Sequence, residues 1–176
     1  RIAAAAAATF INLTLLPCFY AHGEVGGAPP VPGQRRFIND LDGFATLVEG
    51  SRRAVAALPG TTFGLAPHSL RAATIEEIRA VATMAGTAEP LHIHAAEQVK
   101  EVEACTRILG LPPIAALLEA GMVDARWCLI HATHGTEAEL GRVAQAGAVV
   151  GLCPVTESNL GDGTFPAVPY RAAGGR

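Results

Sequence analysis

In the stretch Pro90-Leu-His-Ile-His-Ala-Ala-Glu97-Gln98 an imidazole, His94, stands three residues before a carboxylate, Glu97. A strand ending at His94 leaves Glu97 in the loop beyond it, so both side chains can converge at the strand's carboxyl end. A neutral imidazole there can hold a metal ion through one ring nitrogen while the other donates to a neighbour. A carboxylate beside the metal, but outside its coordination shell, can take a proton from attacking water and pass it to a leaving amine. A second apolar run, Trp127-Cys-Leu-Ile130, leads into His131-Ala-Thr-His134. Two neighbouring strands would then deliver imidazoles to one rim.

Residues two apart in a strand face the same way, so His92 and His94 should turn to one face and Leu91 and Ile93 to the other. His-x-His spacing alone is weak, and His92 reads as a hydrogen-bonded core or rim residue. His131 closes a run of Cys, Leu and Ile, where a histidine with no task is poorly explained. His134, in the turn that follows, reads as exposed. Pro67-His68-Ser69-Leu70-Arg71 sets an imidazole and a guanidinium three apart after an earlier strand, a pair able to clamp a carboxylate, the arginine by a bidentate fork. Taken singly, Glu97 would be a solvated carboxylate opening a helix, where the dipole favours it, and Arg71 a solvated charge.

The elements that must position these groups alternate along the chain. An alanine helix precedes a strand over 9–17, and a Gly/Pro-rich loop covers 22–34. A helix follows over 40–58, then a strand over 61–66. Thr74-Ile-Glu-Glu77 has the form of a capping box opening a helix to about Ala85. A strand over 91–94 leads to a helix over 98–109, stopped by Gly110 with Pro112-Pro113 beyond. A further helix spans 114–121, a strand 127–131, a helix 137–146 and a last strand 148–154. Five alternations suit right-handed crossovers and a parallel sheet. A complete (β/α)8 barrel takes about 250 residues, so the expectation is a partial TIM-like barrel, open, with unpaired apolar edges at the strands from Thr9 and from Ala148. A doubly wound sheet is the competing topology, but no GxGxxG loop follows the first strand.

Composition agrees with a single globular stretch over 1–176: 50% of the 176 residues are hydrophobic and 16% charged. A net charge of -3 gives no basic field, which disfavours nucleic acid and leaves a small anionic substrate to local arginines. Cys18, Cys105, Cys128 and Cys153 lie far apart without CxxC spacing, so neither a disulfide framework nor a zinc knot is indicated. The apolar opening is interrupted by Thr9, Asn12, Thr14 and Pro17 and does not read as a membrane span. With no basic segment before an apolar one, a cytoplasmic protein is the expectation. A start at Arg1 within an alanine run and an end at Gly174-Gly-Arg176 read as an internal piece of a longer chain.

Ala66-Pro-His-Ser-Leu-Arg71, His92-Ile-His-Ala-Ala-Glu-Gln98, Ile130-His-Ala-Thr-His134 and Gly151-Leu-Cys-Pro-Val-Thr-Glu-Ser-Asn-Leu-Gly-Asp-Gly-Thr-Phe165 occur in the order seen in the amidohydrolase superfamily. The loop Tyr20-Ala-His-Gly-Glu-Val-Gly-Gly27 with Gly33-Gln-Arg-Arg-Phe37 resembles its formimidoylglutamate deiminases, which hydrolyse N-formimino-L-glutamate to N-formyl-L-glutamate and ammonia in histidine degradation. The resemblance spans nearly the whole chain. It implies that His94 is a zinc ligand, Glu97 the proton shuttle, and His131 the residue that orients and polarises the hydrolytic water. It further implies that His68, Arg71 and Tyr20 contact substrate, and that one zinc serves each full-length subunit. Glu157, Asn159 and Asp162 match a family loop and are given structural roles, with Gly161-Asp-Gly163 a turn.

The departure lies at the family's N-terminal His-x-His strand and C-terminal aspartate strand, which have no counterpart in this sequence. A catalytic zinc normally takes three protein ligands, so this stretch, roughly strands three to seven, is expected to be inactive alone. A homodimer of the full-length enzyme is compatible with the resemblance. Two rivals stand: a deaminase of a heterocyclic ring in the same superfamily, and a catalytically inactive barrel serving as a binding or scaffold protein. The first would favour an aromatic clamp, and only 5% of this chain is aromatic.

Overall fold

Helix caps and strand alternation, both local features, set the frame of the computed structural model, which describes residues 1–176. Asp40 accepts from the Gly43 N–H to start α2 (Leu41–Val55). Thr74 and Glu77 form the expected capping box of α3 (Ile75–Met84), and Thr136 with Glu139 forms a second at α6 (Glu137–Gln145). Between these two lie α4 (Val99–Leu109), closed by Gly110 in the left-handed region at φ 77°, and α5 (Pro113–Glu119). The alanine run folds as α1 (Ile2–Thr9).

The strand segments are β1 (Leu13–Leu15), β2 (Cys18–Phe19), β3 (Thr61–Phe63), β4 (Ala66–Pro67), β5 (Leu91–Ala95), β6 (Trp127–His131) and β7 (Val149–Gly151). All pairings are parallel: β1 with β3, β2 with β4, β5 with β6, and β6 with β7. The Gly64 and Ala66 N–H groups, donating to Leu15 and Pro17, carry the ladder from the β1–β3 pair to the β2–β4 pair. Bonds from Leu65 N to Pro90 O, His92 N to Leu65 O and His94 N to His68 O join that pair to β5. Five parallel strand lines therefore stand in chain order, with every carboxyl end on one side.

The core lies between sheet and helices. Leu91, Ile93, Trp127 and Leu129 are at most 1% exposed and turn to the helix side, where they join Ile78, Val81, Cys105, Ile114, Leu117 and Val143 in one apolar cluster. His92, His94, Cys128 and Ile130 alternate with them and are half-buried on the opposite, concave face. Burying each large aliphatic side chain contributes about 1.5–3 kcal/mol, which makes register slippage of β5 or β6 costly.

Several boundaries differ from the sequence reading. Thr9 closes α1 rather than opening a strand, and Phe10 at φ 56° turns the chain before β1. The expected strand over 61–66 is interrupted at Gly64, crowded by the Pro90 carbonyl so closely that a side chain would not fit. The last strand is only Val149–Gly151, because Pro154, which needs no N–H partner in a first turn, opens an unexpected α7 (Pro154–Leu160). A further helix, α8 (Ala167–Ala172), follows. The edge at β7 is partly covered rather than open: the Val150 N–H donates to the Arg176 carbonyl at 2.9 Å, and the Tyr170 hydroxyl reaches the Ala148 carbonyl at 3.4 Å. No helix is long and apolar enough to cross a membrane.

Candidate active site

Four rings stand in a row across the carboxyl ends of four adjacent strand lines. Tyr20 follows β2, His68 follows β4, His94 lies in β5 and His131 ends β6. Ring centroids are 4.7 Å apart for Tyr20 and His68, 4.8 Å for His68 and His94, and 5.6 Å for His94 and His131. Strand parity alone would send His131 to the helix side with Trp127 and Leu129. Its backbone is instead left-handed at φ 72°, followed by Ala132 at φ 50°, and this break in the alternation lets the ring stack beside His94. Such a conformation in a non-glycine residue costs on the order of 1–3 kcal/mol and persists only where its surroundings enforce it.

A second left-handed residue, Ala96 at φ 52°, turns the chain so that Glu97 comes back over the end of β5. The Glu97 carboxylate accepts from Arg71 Nη2 at 2.8 Å through Oε2, while its Oε1 lies 3.5 Å from His131 Nε2. On the far side of that ring, Nδ1 is 3.0 Å from Glu157 Oε1, an oxygen that also accepts the Cys153 N–H at 2.9 Å. The result is an unbroken polar line, Arg71 to Glu97 to His131 to Glu157. Only Arg71 in this line is substantially exposed, at 22% of its side chain.

Hydrogen bonding assigns the His94 tautomer. Nδ1 sits 2.7 Å from the His68 carbonyl, which can only accept, so Nδ1 carries the proton and Nε2 keeps its lone pair. Burial lowers the His94 pKa, opposed in part by that carbonyl and by Glu97, and lowered further by His131 and Arg71. His68 is pulled down to about 4, first by burial and then by His94 and Arg71. Both rings are therefore neutral at pH 7. His68 lies with Nδ1 2.9 Å from Ser69 Oγ and carries no charge. Arg71 keeps unused donors, since Nη2 serves Glu97 and the buried Nε meets no partner. Tyr20 ends the row, its hydroxyl accepting from Gln34 Nε2 at 3.0 Å.

A neutral imidazole with Nδ1 tied to a carbonyl is the donor that zinc takes, so His94 fits one corner of a zinc site. No group of three or more His, Cys, Asp or Glu side chains that could hold a metal ion gathers anywhere in these residues, so His94 would need ligands from outside them. His92 lies one layer below His94 on the concave face, half-buried, its pKa lowered by burial and by His94. His134 is not the exposed turn residue expected: its Nε2 is buried without a partner, as are Thr133 Oγ1 and Asp162 Oδ2. Gly161 at φ 71° and Gly163 at φ 118° bear out the turn around Asp162. Sequence reasoning left Glu157 in a structural loop and did not single out Glu101, whose carboxylate accepts the Glu97 N–H at 3.0 Å. Glu157 lies 26 residues from His131, so no local spacing connects them.

The profile of the family described as "Amidohydrolase family" matches residues 5–175. The chain is 48% identical over all of its 176 residues to the formimidoylglutamate deiminase of Pseudomonas aeruginosa, covering 39% of that protein. It superposes on the crystal structure of an amidohydrolase from Brucella melitensis with a TM-score of 0.96 and 54% identity, over 99% of this chain and 39% of that one. An adenosine deaminase from Xanthomonas campestris with bound zinc shares the fold, at a TM-score of 0.79 and 22% identity over 98% of this chain and 38% of that one. The chain thus spans about 39% of the length of the first two relatives.

Proposed function

That this chain belongs to the amidohydrolase family is the premise from which we propose that it forms the third to seventh strands of a (β/α)8 barrel. The whole protein, on this reading, hydrolyses N-formimino-L-glutamate to N-formyl-L-glutamate and ammonia. The observation that carries the reading is the Glu97 carboxylate held between the Arg71 guanidinium at 2.8 Å and the His131 ring at 3.5 Å. The 48% identity to a formimidoylglutamate deiminase over all 176 residues of this chain, 39% of that protein, supports the choice of substrate.

Zinc, held by His94 and by ligands from outside these residues, would supply Lewis-acid activation of water. Glu97 takes the proton released as the water oxygen attacks the amidine carbon and delivers it to the imino nitrogen. The oxygen's remaining proton then passes through Glu97 to the same nitrogen, and as its C–N bond breaks it leaves as ammonia while the carbon becomes the formyl group. Each proton passes through one carboxylate, within reach of both oxygen and nitrogen. His131, its ring fixed by Glu157, orients the water. Arg71 offers its remaining donors to a substrate carboxylate, and His68 and Tyr20 line the approach, so that binding energy from the glutamate moiety positions the amidine carbon.

Ammonia release by the full-length, zinc-loaded protein tests this, with N-formimino-L-glutamate set against adenosine and an aminotriazine. Turnover of the linear amidine well above either ring is expected. Preference for a ring would overturn the substrate, and no release from any of the three would favour a binding or scaffold barrel.

A further inference from the structure

Glu101 is the most deeply buried carboxylate of the chain, 1% exposed on the first turn of α4. Burial raises its pKa despite the opposing charge of Arg71, and the Cys105 thiol beside it is pushed up to about 12 by burial and then by Glu101. A carboxylate placed this way weakens the fold at neutral pH, so a purely structural need is a poor reason for it. Nor does α4 require it as a cap. Gln98 is the N-cap residue, and the Glu101 side chain reaches past it to the N–H of Glu97 at 3.0 Å, while its Oε1 meets no donor.

What that bond restrains is the turn that makes the site. Ala96 is left-handed at φ 52°, and only this reversal brings Glu97 back over β5 to meet Arg71 and His131. Without an acceptor the Glu97 N–H would be buried and unpaired, and the turn would relax toward an ordinary backbone. The carboxylate would then leave its place 3.5 Å from His131. Displacement of a reacting group by about 1 Å can cost on the order of a hundredfold in rate.

We infer that Glu101 is a positioning residue, which through its hydrogen bond to the Glu97 N–H locks the Ala96–Glu97 turn and aims the Glu97 carboxylate. This rests on the reading of Glu97 as the proton carrier. Arg71 is the neighbour through which Glu101 could act by charge instead, and two substitutions separate the routes. Glu101→Gln keeps the reach and an acceptor oxygen but loses the charge; Glu101→Asp keeps the charge but falls one methylene short.

Both variants are made in the full-length, zinc-loaded protein, and two quantities are read: hydrogen exchange at the Glu97 amide, and kcat and KM per bound zinc. In Glu101→Asp, exchange at Glu97 should quicken and kcat fall, each by about tenfold or more, with KM little changed. Glu101→Gln should stay within about threefold of wild type in both. The reverse pattern, with the glutamine variant impaired and the aspartate variant intact, would overturn positioning in favour of charge. Lower melting temperatures in both variants with kcat unchanged would overturn it in favour of a structural role. Exchange needs no turnover, so it decides the matter even if N-formimino-L-glutamate proves to be the wrong substrate.

Discussion

Glu157 holds the ring of His131 through one oxygen, and its replacement has a calculable effect. Oε1 accepts both the His131 Nδ1–H at 3.0 Å and the Cys153 N–H at 2.9 Å. In Glu157→Gln the amide oxygen can take the place of Oε1 and keep both bonds, so the His131 tautomer survives and only the charge is lost. Hydrogen bonds to a charged group contribute about 1.5–3 kcal/mol and neutral ones about 0.5–1.5. The difference, about 1–1.5 kcal/mol, corresponds to roughly a five- to twelvefold fall in kcat if the ring gains positive character as water attacks. Glu157→Leu removes the acceptor as well, leaving the buried His131 N–H unpaired at about 1–3 kcal/mol and the part-buried Cys153 N–H without its partner. Its loss of kcat should exceed that of the glutamine variant at least tenfold, with a lower melting temperature. The assay is ammonia release by the zinc-loaded, full-length protein, with zinc measured in the same samples. Wild-type kcat in both variants, or a loss confined to KM, would refute the idea that Glu157 aims His131.

Three further outcomes follow from the same geometry. Arg71→Met should raise KM for N-formimino-L-glutamate about ten- to a hundredfold by removing a charged donor, with zinc content intact; an unchanged KM in steady-state kinetics would count against the carboxylate clamp. His94→Ala should lower zinc bound per chain by metal analysis, and full occupancy would remove His94 from the ligand set. Glu101 gives a pH signature: its raised pKa means that its contribution to stability is complete below the unfolded value of about 4.3 and is lost as pH climbs through the folded value. The melting temperature of Glu101→Gln relative to wild type should therefore climb between pH 4 and neutrality, and a flat difference would contradict the buried charge.

Much of the frame was legible because it is locally encoded. The Thr74–Glu77 capping box, the Gly110 stop and the β6 span Trp127–His131 depend on neighbours a few residues away, and the structure has them where the sequence reading put them. That His94 and Glu97 should meet at one strand end was legible from their spacing, but the left-handed turn at Ala96 that aims Glu97 was not, since alanine carries no mark of it. The aim of His131 was not, because strand parity points it to the helices and only a left-handed backbone turns it to the rim. Glu157 and Glu101 stayed hidden for different reasons. Glu157 reaches His131 across 26 residues through the unexpected helix α7, and Glu101 looks, in sequence, like any carboxylate in the first turn of a helix. The extra helices after β7 were missed because the apolar run Ala148–Pro154 carries no mark of where strand gives way to helix beyond Pro154 itself.

The central claim is that Glu97 moves protons and does not hold metal, and Glu97→Gln in the full-length protein tests it most directly. The amide keeps the shape and can still pair with Arg71, but it cannot carry a proton. Zinc content by metal analysis should equal that of wild type, while ammonia release from N-formimino-L-glutamate falls by about a hundredfold to ten-thousandfold. Loss of zinc together with activity would make Glu97 a ligand, and retained turnover would remove it from the chemistry altogether.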